Sequence, residues 1–285
     1  MKTYNDVYLS VRKALRGIGV ESFTLESRII CACAAEKTMD EFMRDLKLYI
    51  SEEYQQKVEK MLKRRLKGEP TAYIVGEWEF YGLAFDVNPS VLIPRVDTEI
   101  MVDQAINMLR YRMNSKRVLD LCTGSGCIGI SVAVNVRDSN VLLVDSSDKA
   151  LEVCRANIIR NKSAHHVTAV NADALKNPPP LLGTFDMILC NPPYIPTKDI
   201  KTLDKSVADF EPRAALDGGK DGLDFYRAVS SLWRAAIKPG GVLMFECGID
   251  QAPRVRDIME NNGFTDIAVF KDTLKIDRVI AGTKN

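Results

Sequence analysis

Histidine is nearly missing: the 285 residues hold only two, adjacent at His165 and His166. They precede an expected strand with no third ligand type beside them, so no metal site is expected. Charge of either sign is not in excess. Thirty-nine basic and 38 acidic side chains leave a net +1, too little for a bulk field that draws the chain to nucleic acid or an anionic membrane. Long apolar runs are missing too, none approaching the roughly 18 residues that span a bilayer. Met1 to Asp6 lacks the apolar stretch of a signal peptide. The seven cysteines are odd in number and follow no framework spacing. Cys31, Cys33, Cys127, Cys154, Cys190 and Cys247 lie inside apolar segments, as small buried thiols do. Cys31 and Cys33 also lack the two-residue zinc spacing. These absences point to reduced thiols and a cytoplasmic protein. There is no internal repeat and no low-complexity tract. What is present is 46% apolar and 27% charged residues, enough for one large or two smaller globular domains.

The periodicity changes along the chain. Up to about residue 68 it is helical. Tyr4, Val7, Tyr8, Val11 and Leu15 share one helical face, ended by Gly17-Ile18-Gly19. A second helix is expected over Leu25 to Glu36. A later one starts at Ser51, with Glu52 and Glu53 in its first turn, and stops at Gly68 and Pro70. Tyr73 to Val91 is aromatic and β-branched around Gly82 and reads as a hairpin bridging two domains. From Asp97 onward, strands alternate with helices. Strands are expected at 117–121, 141–144, 167–170, 185–190, 241–246, 265–270 and 278–281, the last two as an antiparallel hairpin. Helices are expected at 99–113, 128–136, 149–161 and 224–237. Such alternation argues an α/β fold with a mostly parallel, doubly wound sheet. The resulting division is a helical bundle over 1–69, a linking hairpin over 70–93 and an α/β domain over 94–285.

Two loops carry the chemistry. The strand Val118-Leu119-Asp120-Leu121-Cys122 runs into Thr123-Gly124-Ser125-Gly126-Cys127-Ile128-Gly129 and then a helix. The glycines allow close backbone approach to a ligand, and a helix N-terminus adds amide donors. Asp145 ends the next strand, where a carboxylate can take both hydroxyls of a ribose. A dinucleotide and S-adenosylmethionine both suit this grammar. S-adenosylmethionine accounts better for Asp120, which would repel a pyrophosphate but can help order a cationic ammonium. The second loop is Asn191-Pro192-Pro193-Tyr194, after the apolar run Phe185 to Cys190. Two prolines end a strand ladder. The turn therefore stands at the carboxyl end of a strand, the ligand-binding edge of open α/β sheets. It offers an amide, a carbonyl with no competing N–H on its own residue, and an aromatic ring. That set suits a planar nitrogen: two acceptors for its N–H groups and a flat face to stack on.

These residues resemble the HemK/PrmC family of protein glutamine N5-methyltransferases. Gly68 to Gly76 with Glu79-Phe80-Tyr81-Gly82 resembles the family's connecting hairpin, and Val91 to Glu99 its passage into the catalytic domain. Leu119 to Gly126 is similar to its cofactor loop. Glu211 to Leu216 with Gly219, Asp221, Gly222 and Leu223 resembles the segment after its proline turn. Glu246-Cys247-Gly248 with Gln251, and Lys271-Asp272 with Asp277-Arg278, fit its last strands. The chain departs from the pattern at Val96 (commonly proline), at Cys122 (commonly glycine), at Leu274-Lys275 in the final hairpin, and at Ala174, where an aromatic often follows the acidic residue Asp173.

The resemblance implies a seven-stranded sheet of the class I S-adenosylmethionine-dependent methyltransferase type with a small N-terminal helical bundle. It implies methyl transfer to the side-chain amide nitrogen of a glutamine in the Gly-Gly-Gln loop of class I peptide-chain release factors, the protein partners. Asn191, Pro192 and Tyr194 would be catalytic. Asp120, Cys122, Thr123, Gly124, Ser125, Gly126, Asp145, Asp173, Ala174 and Asn191 would bind the cofactor. Arg95, Asn191, Pro192, Pro193 and Tyr194 would bind substrate. The Asn191 oxygen and the Pro192 carbonyl would pin the amide and raise electron density on its nitrogen. No side-chain base is needed, because an N-methylated amide cation is acidic enough to lose its proton to water. A monomer is expected, with no membrane and no direct nucleic-acid contact. Alternatives are a glutamine of a ribosomal protein, the amine of adenine or guanine in nucleic acid, a nicotinamide oxidoreductase and a non-catalytic scaffold. Glu211 and Arg213 are expected to pair with each other. The run Lys60, Lys63, Arg64, Arg65, Lys67 reads as a solvated helix face or a contact for an acidic partner or RNA.

Overall fold

The computed structural model describes residues 2–110 and 116–285. These divide into two compact units, one of residues 1–77 with 204–210, the other of 78–203 with 211–285.

The first unit is helical: α1 (Tyr4–Gly17), α2 (Phe23–Ala34), α3 (Met39–Arg44), α4 (Glu52–Arg65) and α5 (Thr71–Val75). Helix α1 starts at a capping box in which the Thr3 side chain accepts from the Asp6 N–H and the Asp6 carboxylate accepts from the Thr3 N–H. The expected Ser51 caps α4, accepting from the Tyr54 N–H. The core is one cluster in which Leu15, Ile30, Cys31 and Phe42 are fully buried. Helix α3 falls in a stretch assigned to no element from sequence, since six residues are too few for a periodic stripe. The basic run is partly committed inside this unit. Arg65 pairs with Glu26 at 2.5 Å and Arg64 with Glu69 at 2.5 Å. Tyr73-Ile74-Val75, expected as strand, is helical in α5. The segment opens at Pro70 and closes at Gly76 in the left-handed region, caps that outweigh β propensity in a five-residue stretch.

The second unit begins with a two-stranded hairpin, β1 (Glu77–Phe80) and β2 (Leu83–Asp86). There follow α6 (Glu99–Arg110), β3 (Lys116–Leu121), α7 (Cys127–Asn135), β4 (Ser139–Asp145), α8 (Asp148–Arg160), β5 (Val167–Asn171) and β6 (Phe185–Cys190). After the short α9 (Lys205–Ala208), which belongs to the first unit, come α10 (Asp224–Leu232), β7 (Ile237–Glu246), α11 (Ala252–Asn261), β8 (Phe264–Lys271) and β9 (Asp277–Lys284). The expected end of α6 at Met113 lies outside the described residues. The helix expected over 224–237 stops at Leu232, a 3-10 turn covers 233–236, and Ile237 already pairs with Phe185 as strand.

The main sheet has seven strands in the order β5-β4-β3-β6-β7-β9-β8. Pairs from β5 through β7 are parallel, and β9 runs antiparallel to both its neighbours. Side chains alternate between two cores even in buried strands. Met187 and Leu189 enter one with α6 and α7; Ile188 and Cys190 enter the other with α10 and α11. Chain order reverses between β3 and β6, whose Leu121 and Cys190 are register partners. That is the switch point, where the loops following two adjacent strands leave in opposite directions and open a crevice.

Candidate active site

The crevice holds a cavity lined by both motifs. From β3 and its loop come Cys122, Thr123, Gly124 and Ser125. Asp145 follows from β4, Ala174 from the loop after β5, and Asn191 and Pro193 from the loop after β6. Arg95, ahead of α6, completes the sequence-derived residues that line it. Asp120, Gly126, Asp173, Pro192 and Tyr194 do not line it. They sit behind or beside the wall. Among residues that sequence reasoning passed over, Leu92, Thr98, Ser147 and Phe225 also line the cavity. Leu92 and Thr98 belong to the quoted segment 91–99, so that motif was a usable signal. Ser147 and Phe225 carried none.

The glycine loop is built from its own neighbourhood. Asp120 is wholly buried. Its Oδ2 accepts from the Thr123 hydroxyl at 2.6 Å and from the Gly129 N–H at 3.0 Å. Its Oδ1 is buried with no partner among the described residues. Burial pushes its pKa up to about 7, against the pull of those two donors. Asp145 accepts from the Gly124 N–H and the Ser147 N–H, both at 2.9 Å, and burial raises its pKa as well. Cys122 holds φ at 63°, the left-handed region that favours glycine, which explains why a glycine would suit that position better. A Cβ on Gly129 would lie 2.2 Å from Leu143 Cδ2, so the loop closes onto the sheet only without one.

The proline turn is held from a distance. Gln251, at the start of α11, donates from Nε2 to the Tyr194 carbonyl at 2.9 Å and accepts at Oε1 from the Gly248 N–H at 2.9 Å. Gly218 and Gly222 also lie against the turn. A Cβ on Gly218 would stand 2.7 Å from the Pro193 carbonyl oxygen, and one on Gly222 2.3 Å from that of Tyr194. The Asn191 Nδ2 donates to Thr98 Oγ1 at 3.4 Å. Arg95 pairs with the buried carboxylate of Glu211, which also accepts from the Ile93 N–H at 3.3 Å. The expected Glu211–Arg213 pair does not form. Arg213 binds Asp217 at 3.1 Å, one helical turn on, and Glu211 turns inward to Arg95 and the Ile93 amide.

Two carboxylates near the glycine loop, one with an unpartnered oxygen, disfavour a pyrophosphate and fit a ligand carrying an ammonium and a ribose. The donor set therefore fits S-adenosylmethionine.

Comparison with known proteins shows the family of the chain. Residues 6–76 match the PrmC N-terminal domain and residues 95–210 the methyltransferase small domain. A release factor glutamine methyltransferase of Clostridium acetobutylicum is 36% identical over 98% of this chain and 98% of its own. One from Geobacter sulfurreducens is 43% identical over 78% of this chain and 76% of its own. A methyltransferase structure from Pyrococcus furiosus superposes with a TM-score of 0.52 at 18% identity, covering 80% of this chain and 99% of that one, a likeness of fold. With that identity over nearly the full length of both chains, this protein belongs to the HemK/PrmC family of release factor glutamine methyltransferases.

Proposed function

We propose that the protein methylates the side-chain amide nitrogen of the glutamine in the Gly-Gly-Gln loop of class I peptide-chain release factors, with S-adenosylmethionine as methyl donor. The observation that carries this reading is the placement of Asn191 beside the glycine loop at the switch point, with Nδ2 turned to Thr98. That leaves Oδ1 to accept an N–H from a planar amide. Bound S-adenosylmethionine supplies an electrophilic methyl group on a cationic sulfonium. The chain's own residues do the rest. Asp145 takes ribose hydroxyls, Asp120 helps order the ammonium, and Gly124 and Ser125 let the backbone come close. Asn191 Oδ1 and the Pro192 carbonyl hold the two amide N–H groups of the substrate, and Tyr194 stacks beside it. Fixing a delocalised amide in this way works by positioning and by stabilising developing positive charge.

A three-residue loop carries little information, so selectivity requires reading more of the protein that bears it. The helical unit supplies that reading. The setting is the cytoplasm, with translation termination as the process and a monomer as the acting form. Among the described residues no helix is long and apolar enough to cross a membrane.

The test is mass spectrometry of purified, folded release factor after incubation with the protein and S-adenosylmethionine. One added methyl on the Gly-Gly-Gln glutamine is expected. An unmodified glutamine, with cofactor binding demonstrated, overturns the substrate assignment and turns the search to ribosomal proteins.

A further inference from the structure

The glycine loop meets α7 where a helix would ordinarily make one more hydrogen bond. The Gly126 carbonyl starts the helix, accepting from the Ile130 N–H at 2.9 Å. One residue earlier, the Ser125 carbonyl would take the Gly129 N–H in a continuing helix, but that N–H goes to Asp120 at 3.0 Å. A buried carbonyl left without a donor is costly. Asn157 on α8 supplies one, donating from Nδ2 to the Ser125 carbonyl at 2.9 Å.

The same amide is bound a second time. Asn157 Oδ1 accepts from the Asp86 N–H at 2.7 Å, and Nδ2 also donates to the Asp86 carbonyl at 3.0 Å. The side chain thus acts like a neighbouring strand at the end of β2. It is wholly buried, with both amide hydrogens and the oxygen engaged. Two carbonyls that only accept and one N–H that only donates fix which way this amide faces. Aspartate has the shape but no donor, and glutamine is longer by one methylene. Ser125 lines the cavity, and so do Ser90 and Leu92, a few residues beyond Asp86. Asn157 therefore ties together two stretches of chain that form the cavity wall without lining the cavity itself.

We infer that Asn157 is a positioning residue for the cofactor. By joining the Ser125 carbonyl to the end of β2, it holds the glycine loop in the shape that receives S-adenosylmethionine. Only the identity of that cofactor rests on the proposed function; the methyl acceptor does not enter. The next turn of α8 isolates the role. Asn161 Nδ2 donates to the Ala84 carbonyl at 3.1 Å, so Asn161 also fastens α8 to β2, without a bond to the glycine loop among the described residues.

The test uses the full-length protein. Ser125-Gly126 is the one Ser-Gly step in the sequence. Cell-free synthesis with serine labelled by 13C at its carbonyl and glycine labelled by 15N therefore gives a single correlated signal, from this peptide bond. The signal should move in Asn157→Asp, which keeps the shape and loses both donor bonds, and in Asn157→Ala. It should stay in place in Asn161→Ala. Calorimetry should find S-adenosylmethionine binding weakened roughly 10- to 100-fold in both Asn157 variants and unchanged in Asn161→Ala. In methyl transfer the loss should appear in KM for S-adenosylmethionine, with kcat at saturating cofactor within about threefold of the wild type. Asn157→Ser, whose shorter arm keeps a donor but cannot reach both carbonyls, should give the same pattern on a milder scale. A signal that stays in place in the Asn157 variants, or cofactor affinity that falls alike in Asn161→Ala, overturns the inference. Cofactor affinity that follows Asn157 in a protein that leaves release factor unmethylated upholds the inference and overturns the proposed substrate instead.

Discussion

The two loops that meet at the switch point leave adjacent strands at paired residues, Leu121 and Cys190, yet they are held in opposite ways. The glycine loop is held mainly from nearby in sequence, with Asn157 Nδ2 donating to the Ser125 carbonyl at 2.9 Å from farther off. Asp120 binds Thr123 and Gly129, three and nine residues on, and Asp145 reaches Gly124 across 21. The proline turn has almost no such support. Its partners are Thr98, 93 residues before Asn191, and Gln251, 57 residues after Tyr194. A loop that donates backbone amides can be preorganised by its own sequence. A turn that must present one side-chain oxygen at a set angle needs anchors from several elements at once.

The largest expected effect lies on the turn. Asn191→Ala should lower methyl transfer by at least about a hundredfold, the scale of losing a group that stabilises developing charge. S-adenosylmethionine affinity by calorimetry should stay within a few fold. Loss of cofactor affinity on the same scale would break the separation between the loops.

Gln251→Ala removes the anchor and leaves the Gly248 N–H and the Tyr194 carbonyl without it. Chemical denaturation should show a loss of about 1–3 kcal/mol, and kcat should fall further than cofactor affinity does. Gly129→Ala provides the converse. Its Cβ cannot fit against Leu143 and Asp120 without displacement, so it should destabilise by about 1–3 kcal/mol and weaken cofactor binding more than it weakens turnover at saturating cofactor.

Asp120 gives the pH dependence. Its pKa in the folded state, about 7, is raised above the ordinary aspartate value of 3.8. The folded state therefore binds this proton more tightly, and the stability linked to it is full below the unfolded pKa and lost as pH rises through about 7. Asp120→Asn keeps an acceptor for Thr123 and Gly129 while removing the charge. Scanning calorimetry should find it melting above the wild type at pH 8 and no higher at acidic pH, with weaker S-adenosylmethionine binding. The smallest effect is expected from Cys122→Gly, which relieves a left-handed backbone and should stabilise by up to about 1 kcal/mol in denaturant titrations.

The strands, the α/β alternation and the glycine loop were legible because their determinants are local. Apolar periodicity, helix caps and glycines act over a few residues. The motif residues marked the loop ends but not their wiring. Glu211 turned inward to Arg95 rather than to Arg213, which is two residues away in sequence. Tyr73 to Val75 went the other way: β-type residues became a helix because Pro70 and Gly76 delimit five residues that fold into the helical core. Thr98 lay in a quoted motif but carried no assigned role, since nothing in a linear pattern says that residues 98 and 191 share a hydrogen bond. By itself the sequence determined which segments would be strand or helix, and that an amide and a carbonyl would stand at the end of a strand, because those follow from local sterics and burial. Only the tertiary structure decided which way the amide faces, because the hydroxyl that its Nδ2 donates to belongs to Thr98, 93 residues earlier in the chain.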